Sequence, residues 1–276
     1  MAANAKLLEW LRTACAEYEH DVVALYRRRG SHAWPITASD DRDLAGQLGR
    51  GGHFLPLPKE PAALANILEV AIVDFLLEKI TTVGGEAQRG TERGYPDLEL
   101  HGAYFGGGFH AVDVKIAMRE RRAKSAKAKP PKKTQSRITL YTGNTYFMYP
   151  QLKWPGTFRP FADYASHVDV IGLYTLNEES TSRVDDLELI VHEPWRIASR
   201  QRSSTTREYL GAVMEIERLR DGRGEFETEA AFYAFWRKYK FKVGEATRKQ
   251  LQRLIAGTGE AVPTKVPRRK STKRGE

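Results

Sequence analysis

The sequence predicts an α/β (α+β) fold in which helices pack around a β-sheet. Two segments, residues 5–28 and 62–80, place apolar side chains at helical spacing. Three others have the length, alternation and flanking turn residues of strands: 97–100, 110–117 and 166–176. At 276 residues the chain is long enough to bury a substantial core.

The N-terminal half contributes both of these helices. The spacing of residues 5–28 predicts an amphipathic helix that covers a core or pairs with a second subunit, and residues 30–61 are rich in Gly and Pro and predict a loop. Residues 62–80 are apolar nearly all round, which predicts a largely buried helix. Glu69 interrupts this run, either as part of a polar stripe with Asn66 or as a buried carboxylate that needs a cation or a donor.

The remaining elements follow from local patterns. Gly84 and Gly85 end the second helix, and a polar loop, Glu86–Gly94, leads to Asp97. Further strand material is predicted at 137–149, another strand with a short extension at 187–198, and a last helix at 245–256. Aromatic side chains at helical spacing near the C-terminus predict core packing rather than a base-stacking platform: Phe232, Phe235, Trp236 and Tyr239.

The most informative stretch is the predicted hairpin 97–117. Because strand side chains alternate, Asp113 and Lys115 share one face, while Val112, Val114 and Ile116 share the other. Pairing of the two strands brings Asp97 close to Asp113, so two carboxylates and an ammonium converge. Carboxylates suit Mg²⁺, and a bound cation with a neighbouring lysine suits phosphodiester hydrolysis. The sequence pattern alone is weak evidence for such a site, since an Asp in a turn followed by a solvent-exposed Asp/Lys pair gives the same pattern.

Charge and composition point to a polyanionic partner. The net charge of +9 is concentrated in residues 119–137, with nine Lys/Arg against one Glu, and in residues 263–276, with six against one. We expect the first segment to contact a DNA backbone and residues 261–276 to be a disordered basic tail after a single domain, 1–260. No apolar run is long enough for a membrane span, no signal peptide is evident, and the single Cys15 forms no internal disulfide, so an intracellular location is expected.

One polar run has the side chains that read base edges. From Ser199 to Arg207 there is no apolar residue, and Arg and Gln pair bidentately with guanine and adenine. An ordinary exposed loop is the alternative. The candidate readers are Arg200, Gln201, Arg202, Ser203, Ser204, Thr205, Thr206 and Arg207.

Several separate segments, taken in order, resemble the type II restriction endonucleases of the PD-(D/E)xK superfamily, in particular the EcoRV kind. The segments are ALANILEVAIVDFLLEKI, YPDLEL with AVDVKIA, ITLYTGNTYF with VDVIGLYTL, and WRIASRQRSSTTREYLGAV with DGRGEFETEAAFYAFWRKY. The resemblance covers roughly residues 62–239. It implies a restriction-endonuclease-like core with a central mixed β-sheet flanked by helices, and a single nuclease domain with an N-terminal dimerisation helix.

The resemblance also implies the roles of individual residues. Asp97 and Asp113 would bind the metal with the Val114 carbonyl as a further oxygen, Glu69 would serve a second metal position, and Lys115 would orient or activate the attacking water. The run from Ser199 to Arg207 would enter the major groove, and a loop carrying Gln88, Arg89 and Arg93 would touch the minor groove. Asn144 and Thr145 resemble a phosphate-contacting region.

The activity implied is that of a cytoplasmic homodimer that cuts a palindromic duplex to 5′-phosphate ends and depends on Mg²⁺. Mn²⁺ would substitute, Ca²⁺ would support binding without cutting, and the cut implied is blunt. The host would carry a cognate DNA methyltransferase that is not a stable subunit. The arginine content of the polar run differs from the Gly/Asn-rich family loop and predicts a site richer in G·C.

Two alternatives are consistent with the same residues. One is a PD-(D/E)xK nuclease of DNA repair or recombination, which would read DNA structure rather than sequence. The other is a non-catalytic DNA-binding module. Discrete fragments from plasmid digestion favour restriction, while nick- or junction-dependent cutting favours repair.

Overall fold

The computed structural model describes residues 5–20, 39–40, 42, 57, 59–91, 94–121, 130–180, 182–203 and 208–258. Its main sheet is mixed and five-stranded, with strand order β1-β2-β3-β5-β6. The bounds are β1 Glu86–Arg89, β2 Leu98–His101, β3 Phe109–Met118, β5 Ser166–Leu176 and β6 Val184–His192. The β3 and β5 strands run parallel and every other neighbouring pair in this sheet is antiparallel. The prediction of a central mixed sheet is confirmed.

A second, three-stranded sheet has the order β4-β8-β7 and was not predicted. Its strands are β4 Thr139–Thr142, β7 Ala198–Arg202 and β8 Tyr209–Ala212. Both neighbouring pairs are antiparallel. It places residues 199–202, the start of the polar run, at the edge of a sheet.

The helices of the described residues are α1 Ala5–Ala16, α2 Pro61–Thr82, α3 Pro194–Ile197, α4 Ile216–Arg220, α5 Glu229–Lys238 and α6 Glu245–Thr258. None of these helices is long and apolar enough to cross a membrane. The α2 helix begins with Glu60, whose carboxylate accepts from the Ala63 N–H, and with Pro61 in its first turn. It ends at the predicted place, where Gly84 adopts a positive φ of 69°.

The main sheet separates two apolar clusters. On one face, α1 and α2 pack against Val112, Val114 and Val170. On the other face, the three-stranded sheet and the aromatic side chains of α5 pack against Ile171 and Leu173. The alternation predicted for β3 is therefore confirmed, and Phe232 and Trp236 are fully buried core residues, as predicted.

Several predicted boundaries were wrong. Helix α1 ends at Ala16, where Tyr18 turns to pack edge-on against Phe75, and residues 21–28 lie outside the described part. Residues 86–89 are a strand rather than a loop, because they pair with β2. The strand predicted at 137–149 is only four residues long.

The β4 strand is short because Gly143 begins a π-helical turn, Gly143–Phe147. The strand predicted at 187–198 is likewise divided: β6 starts earlier, at Val184, and gives way to α3 at Pro194. Proline has no N–H for a strand ladder and fits the first turn of a helix. In contrast, β5 spans 166–176 as predicted, and α6 confirms the last helix.

Candidate active site and nucleic-acid interface

The β2–β3 hairpin positions the acidic residues. Leu98 pairs with Val112, so Asp97, immediately before β2, lies beside the middle of β3. The Val114 N–H donates to Asp97 Oδ2 at 2.7 Å and fixes the carboxylate there. A local pairing register thus brings together two carboxylates that are separated by the whole glycine-rich connection in the sequence.

Lys115 lies between the two carboxylates. Its Nζ is 3.5 Å from Asp97 Oδ2 and forms an ion pair with Asp113. It also donates to the Val114 carbonyl oxygen at 3.3 Å. The side chain of Asp113 is only 4% exposed and that of Lys115 24%, so water screens this cluster weakly. The structure therefore brings Asp97, Asp113, Lys115 and the Val114 carbonyl to one point.

The electrostatics of the cluster are those of crowded, buried anions. Burial, reinforced by Asp97, raises the pKa of Asp113 well above its usual range, although Lys115 opposes the shift. Burial alone would lower the pKa of Lys115, but Asp113 and Asp97 outweigh it and raise that pKa above its usual value. The cluster contains more negative than positive charge, which favours binding of a cation.

Asp169 is a neighbouring carboxylate that the sequence analysis missed. It is the partner of Asp113 in the parallel pairing of β3 and β5 and is fully buried. Its Oδ1 accepts from the Tyr141 hydroxyl at 3.1 Å, and its Oδ2 has no hydrogen-bond partner within the described residues. Burial raises the pKa of Asp169 to about 7, with Lys115 opposing. The signal was present, because Val-Asp-Val occurs in both strands, at 112–114 and 168–170.

Glu69 lies on α2 and faces the same cleft as Asp97. The cleft has a volume of about 440 Å³ and is lined by Glu69 and Val73 of α2, by Gly90 and Thr91, and by Asp97. Burial, together with the negative charge of Asp97, raises the pKa of Glu69 to about 7. Glu69 is thus electrostatically coupled to Asp97 and Lys115.

The donor set at Asp97 and Asp113 fits a hard divalent cation. Among the residues described, no three Asp, Glu, His or Cys side chains are close enough to hold a metal by themselves, so Glu69 does not complete a protein-only cage. Mg²⁺ does not need one, because it binds through one or two carboxylates together with water and substrate phosphates. Beside Asp113, the Asp169 Oδ2 without a partner in the described part of the chain is a further sign of a locally uncompensated anion.

The comparison with protein families decides what kind of protein has this site. The family model described as restriction endonuclease EcoRV matches residues 31–256, which is more than half of the chain. The chain belongs to the EcoRV family. Comparison with individual curated proteins gave no match. As an EcoRV-family protein it is a type II restriction endonuclease, a phosphodiester hydrolase that acts on double-stranded DNA. EcoRV-like endonucleases are generally dependent on a divalent metal.

In this EcoRV-family chain, half of the predicted recognition loop is strand β7. Ser199 is buried and its hydroxyl donates to Glu225 Oε2 at 3.3 Å. Arg200 and Gln201 are exposed, but residues 199–202 are strand, so the interpretation of these residues as a loop was wrong. The pairing of β7 with β8, which makes these residues a strand, is not visible in their composition. Ser204, Thr205, Thr206 and Arg207 lie outside the described residues.

The side chains of β7 are individually anchored. Arg200 is exposed, and its backbone N–H donates to Glu225 Oε2 at 2.6 Å. Arg202 is ion-paired with Glu208 at 3.3 Å, and the Ser203 hydroxyl is hydrogen-bonded to Thr139 at 2.8 Å. The strand therefore presents its polar side chains on a supported scaffold.

The predicted minor-groove residues are divided among different environments. Gln88 lies on β1 and donates from Nε2 to Glu99 Oε1 at 2.8 Å, and Arg89 is ion-paired with Asp74. Burial alone would raise the pKa of Glu99, but hydrogen bonds from Arg159 and Gln88 outweigh it and lower that pKa. Arg93 lies outside the described residues.

Asn144 and Thr145 lie in the π-helical turn after β4. Asn144 is buried and donates from Nδ2 to the Lys242 carbonyl at 3.2 Å, while the Thr145 hydroxyl donates to the Thr142 carbonyl at 3.1 Å. Both side chains hold the turn in this structure.

Arg119, the first residue of the basic segment, is also engaged internally. It is buried and donates to Glu188 Oε2 at 2.8 Å and to the Leu173 carbonyl at 3.0 Å. Residues 122–129, which contain much of the segment's charge, lie outside the described residues.

Proposed function

We propose that this restriction endonuclease acts as a homodimer that binds a palindromic duplex and makes a Mg²⁺-dependent, blunt double-strand cut, leaving 5′-phosphate ends. The observation that carries the proposal is the convergence of Asp97, Asp113 and Lys115, of which Asp97 lines a cleft together with Glu69. Membership of the EcoRV family supports the same chemistry.

Each residue of the cluster has a distinct task in this proposal. Asp97 and Asp113 hold the cation, with the Val114 carbonyl as a further oxygen, and Glu69 serves a second position across the cleft. When bound, the divalent cation lowers the pKa of a coordinated water and neutralises charge on the scissile phosphate. Lys115 donates hydrogen bonds that orient the attacking water or stabilise negative charge on the phosphate oxygens.

The three-stranded sheet supplies the major-groove readers. Arg200, Gln201 and Arg202, followed by the residues of the run to Arg207, contact base edges, and Arg200 favours guanine through its O6 and N7 acceptors. The family loop is rich in Gly and Asn, whereas this run is rich in Arg. This chain therefore reads a different site, richer in G·C. The segment 119–137 and the tail 261–276 supply sequence-independent attraction to phosphates.

Contacts outside the recognition strand complete the proposed complex. Gln88, Arg89 and Arg93 contact the minor groove, with Gln88 and Arg89 exchanging their intramolecular partners for DNA. Asn144 and Thr145 lie near a phosphate, and α1 contributes to the dimer interface. The enzyme acts in the cytoplasm beside a cognate methyltransferase that protects the host site.

Digestion of a genome of known sequence, followed by sequencing of the fragment ends, tests the proposal. With Mg²⁺ we expect ends at one palindromic sequence, with both strands cut at the same position. The same reaction in Ca²⁺ is the control and is expected to give binding without fragments. Cutting only at nicks or junctions, or no Mg²⁺-dependent cutting, would refute it.

A further inference from the structure

The exposed side chain of Gln201 is hydrogen-bonded to Arg137, which lies next to a different strand. Gln201 lies on β7, and its Oε1 accepts a hydrogen bond from Arg137 Nη2 at 2.8 Å. Arg137 belongs to the basic segment and lies just before β4. The contact therefore links the basic segment to the strand proposed to read DNA.

Arg137 reaches Gln201 by crossing the middle strand of the three-stranded sheet. Since the strand order is β4-β8-β7, β8 lies between the two residues. At this crossing β8 carries Gly211, where a Cβ would collide with the Arg137 Cδ. Arg137 Nη1 also donates to the Ala212 carbonyl at 2.7 Å. The guanidinium is thus fixed at two points, over a glycine that leaves room for its side chain.

This contact determines which way the Gln201 amide faces. A guanidinium carries N–H donors and no acceptor, so the Gln201 amide oxygen has to face Arg137. The amide nitrogen, Nε2, therefore points away from Arg137. An unrestrained glutamine pairs with adenine by accepting from N6 and donating to N7. Arg137 occupies one lone pair of the Gln201 oxygen and places its own N–H groups beside that oxygen, so the two side chains together present mainly donors.

We propose that Arg137 is a positioning residue that makes Gln201 specific for guanine rather than adenine. Guanine presents two acceptors in the major groove, O6 and N7, which suit donors from Gln201 Nε2 and from the N–H groups that Arg137 retains. Adenine presents its N6 donor at the corresponding place and is disfavoured. The inference rests on the proposed function, because it assigns a base to a strand proposed to read DNA.

On the described part of β7, Gln201 is the side chain that accepts a hydrogen bond from Arg137. Arg202 is ion-paired with Glu208, which offsets its charge. The guanidinium of Arg200 donates to the Glu225 carbonyl at 3.3 Å and lies over the rings of Phe226 and Phe235, so its orientation does not depend on Arg137.

The test begins from the wild-type site found by fragment-end sequencing. Duplexes with each base pair of that site substituted in turn are cut by the wild type, Arg137→Met and Arg137→Lys, and kcat/KM is measured for each. We expect the wild type to prefer G·C over A·T about tenfold or more at one position in each half-site. Arg137→Met should lower that preference about tenfold while preferences elsewhere in the site stay within about twofold, and Arg137→Lys should retain part of it.

Matched variants separate positioning from a general loss of charge or stability. Lys249→Met removes the same charge from α6 and should leave every preference unchanged. Gln201→Ala should lose the same preference as Arg137→Met, and the double variant should lose no more, because the two residues act as one unit. Thermal melts of all variants check that the fold is kept.

The outcomes distinguish this inference from the function on which it rests. The role of Arg137 alone would be overturned if the wild type cuts a fixed site and Arg137→Met keeps the same base preference. The same conclusion would follow if Arg137→Met cuts every substituted site more slowly by the same factor. A wild-type enzyme that cuts without any fixed site would overturn the proposed function and the inference with it.

Discussion

Replacement of Lys115 by Met tests whether the acidic cluster depends on this ammonium. The substitution keeps most of the side-chain volume and removes the positive charge between Asp97 and Asp113. Two buried carboxylates then remain close together without that ammonium, so the folded protein should lose stability and the enzyme should lose cutting activity.

The expected size follows from the geometry. At the 3.5 Å separation of Lys115 Nζ from Asp97 Oδ2, an effective dielectric constant of about 20 gives a gross attraction of about 5 kcal/mol. Desolvation of the ammonium offsets part of this, and breaking a buried pair typically costs about 3–5 kcal/mol. Since the Lys115 side chain is 24% exposed, we expect about 3 kcal/mol, which lowers the Tm by about 6–12 °C.

The assay is thermal and urea unfolding without metal, then with Ca²⁺. A cation bound between the carboxylates replaces the missing charge, and at about a hundredfold excess over its Kd it adds about 2.7 kcal/mol. Cutting in Mg²⁺ should fall by about a hundredfold or more. Lys79→Met is the control, because Lys79 pairs with Glu17 at the exposed surface and should cost less than about 1 kcal/mol. An unchanged Tm in Lys115→Met, or no gain from Ca²⁺, would show that the ammonium does not offset the charge of the two carboxylates.

Three further perturbations have defined outcomes. Glu188→Gln should lower the free energy of unfolding by about 1–2 kcal/mol at neutral pH. Hydrogen bonds from Arg220 lower the pKa of Glu188 in the folded protein. The stability contributed by the carboxylate is therefore present above the unfolded pKa of 4.5 and is lost as the pH falls through the folded pKa. Urea melts of the wild type and Glu188→Gln across that pH range check this, and a difference in stability that persists in acid would contradict it. Gly143→Ala should destabilise by about 1–3 kcal/mol, because its Cβ would collide with the ring of Phe241; denaturant melts check this, and an unchanged midpoint opposes it. Neutralising four lysines within 119–137 should flatten the dependence of log Kd on log salt, by about 0.9 for each phosphate that those lysines neutralise; an unchanged slope would show that the segment does not touch phosphates.

The hairpin and its acidic cluster were predictable because they depend on local patterns. Period-two alternation fixed the faces of β3, and a short glycine-rich connection required its pairing with β2. Asp169 was missed because its neighbour in space, Asp113, lies on a strand far earlier in the chain, joined to it only by the parallel register. The repeated Val-Asp-Val pattern is the signal that would have found it.

The three-stranded sheet was not predictable in the same way. The side chains of residues 199–202 are all polar and show no strand-like alternation of polar and apolar residues. Ser199 is buried because its hydroxyl is hydrogen-bonded to Glu225 from a later segment. Residues 86–89 became a strand for a similar reason, since an edge strand with an exposed face tolerates polar side chains. Pairing with the next strand along the chain, rather than composition, decides both elements.

Two alanine variants show whether the cluster of Asp97, Asp113 and Lys115 cuts DNA. Cleavage in Mg²⁺ and DNA binding in Ca²⁺ are measured for Asp113→Ala and for Asp163→Ala, which removes an exposed carboxylate outside this cluster. Asp113→Ala should bind DNA like the wild type without cutting it, while Asp163→Ala should do both. If Asp113→Ala cuts at the wild-type rate, the cluster is not the site of cleavage.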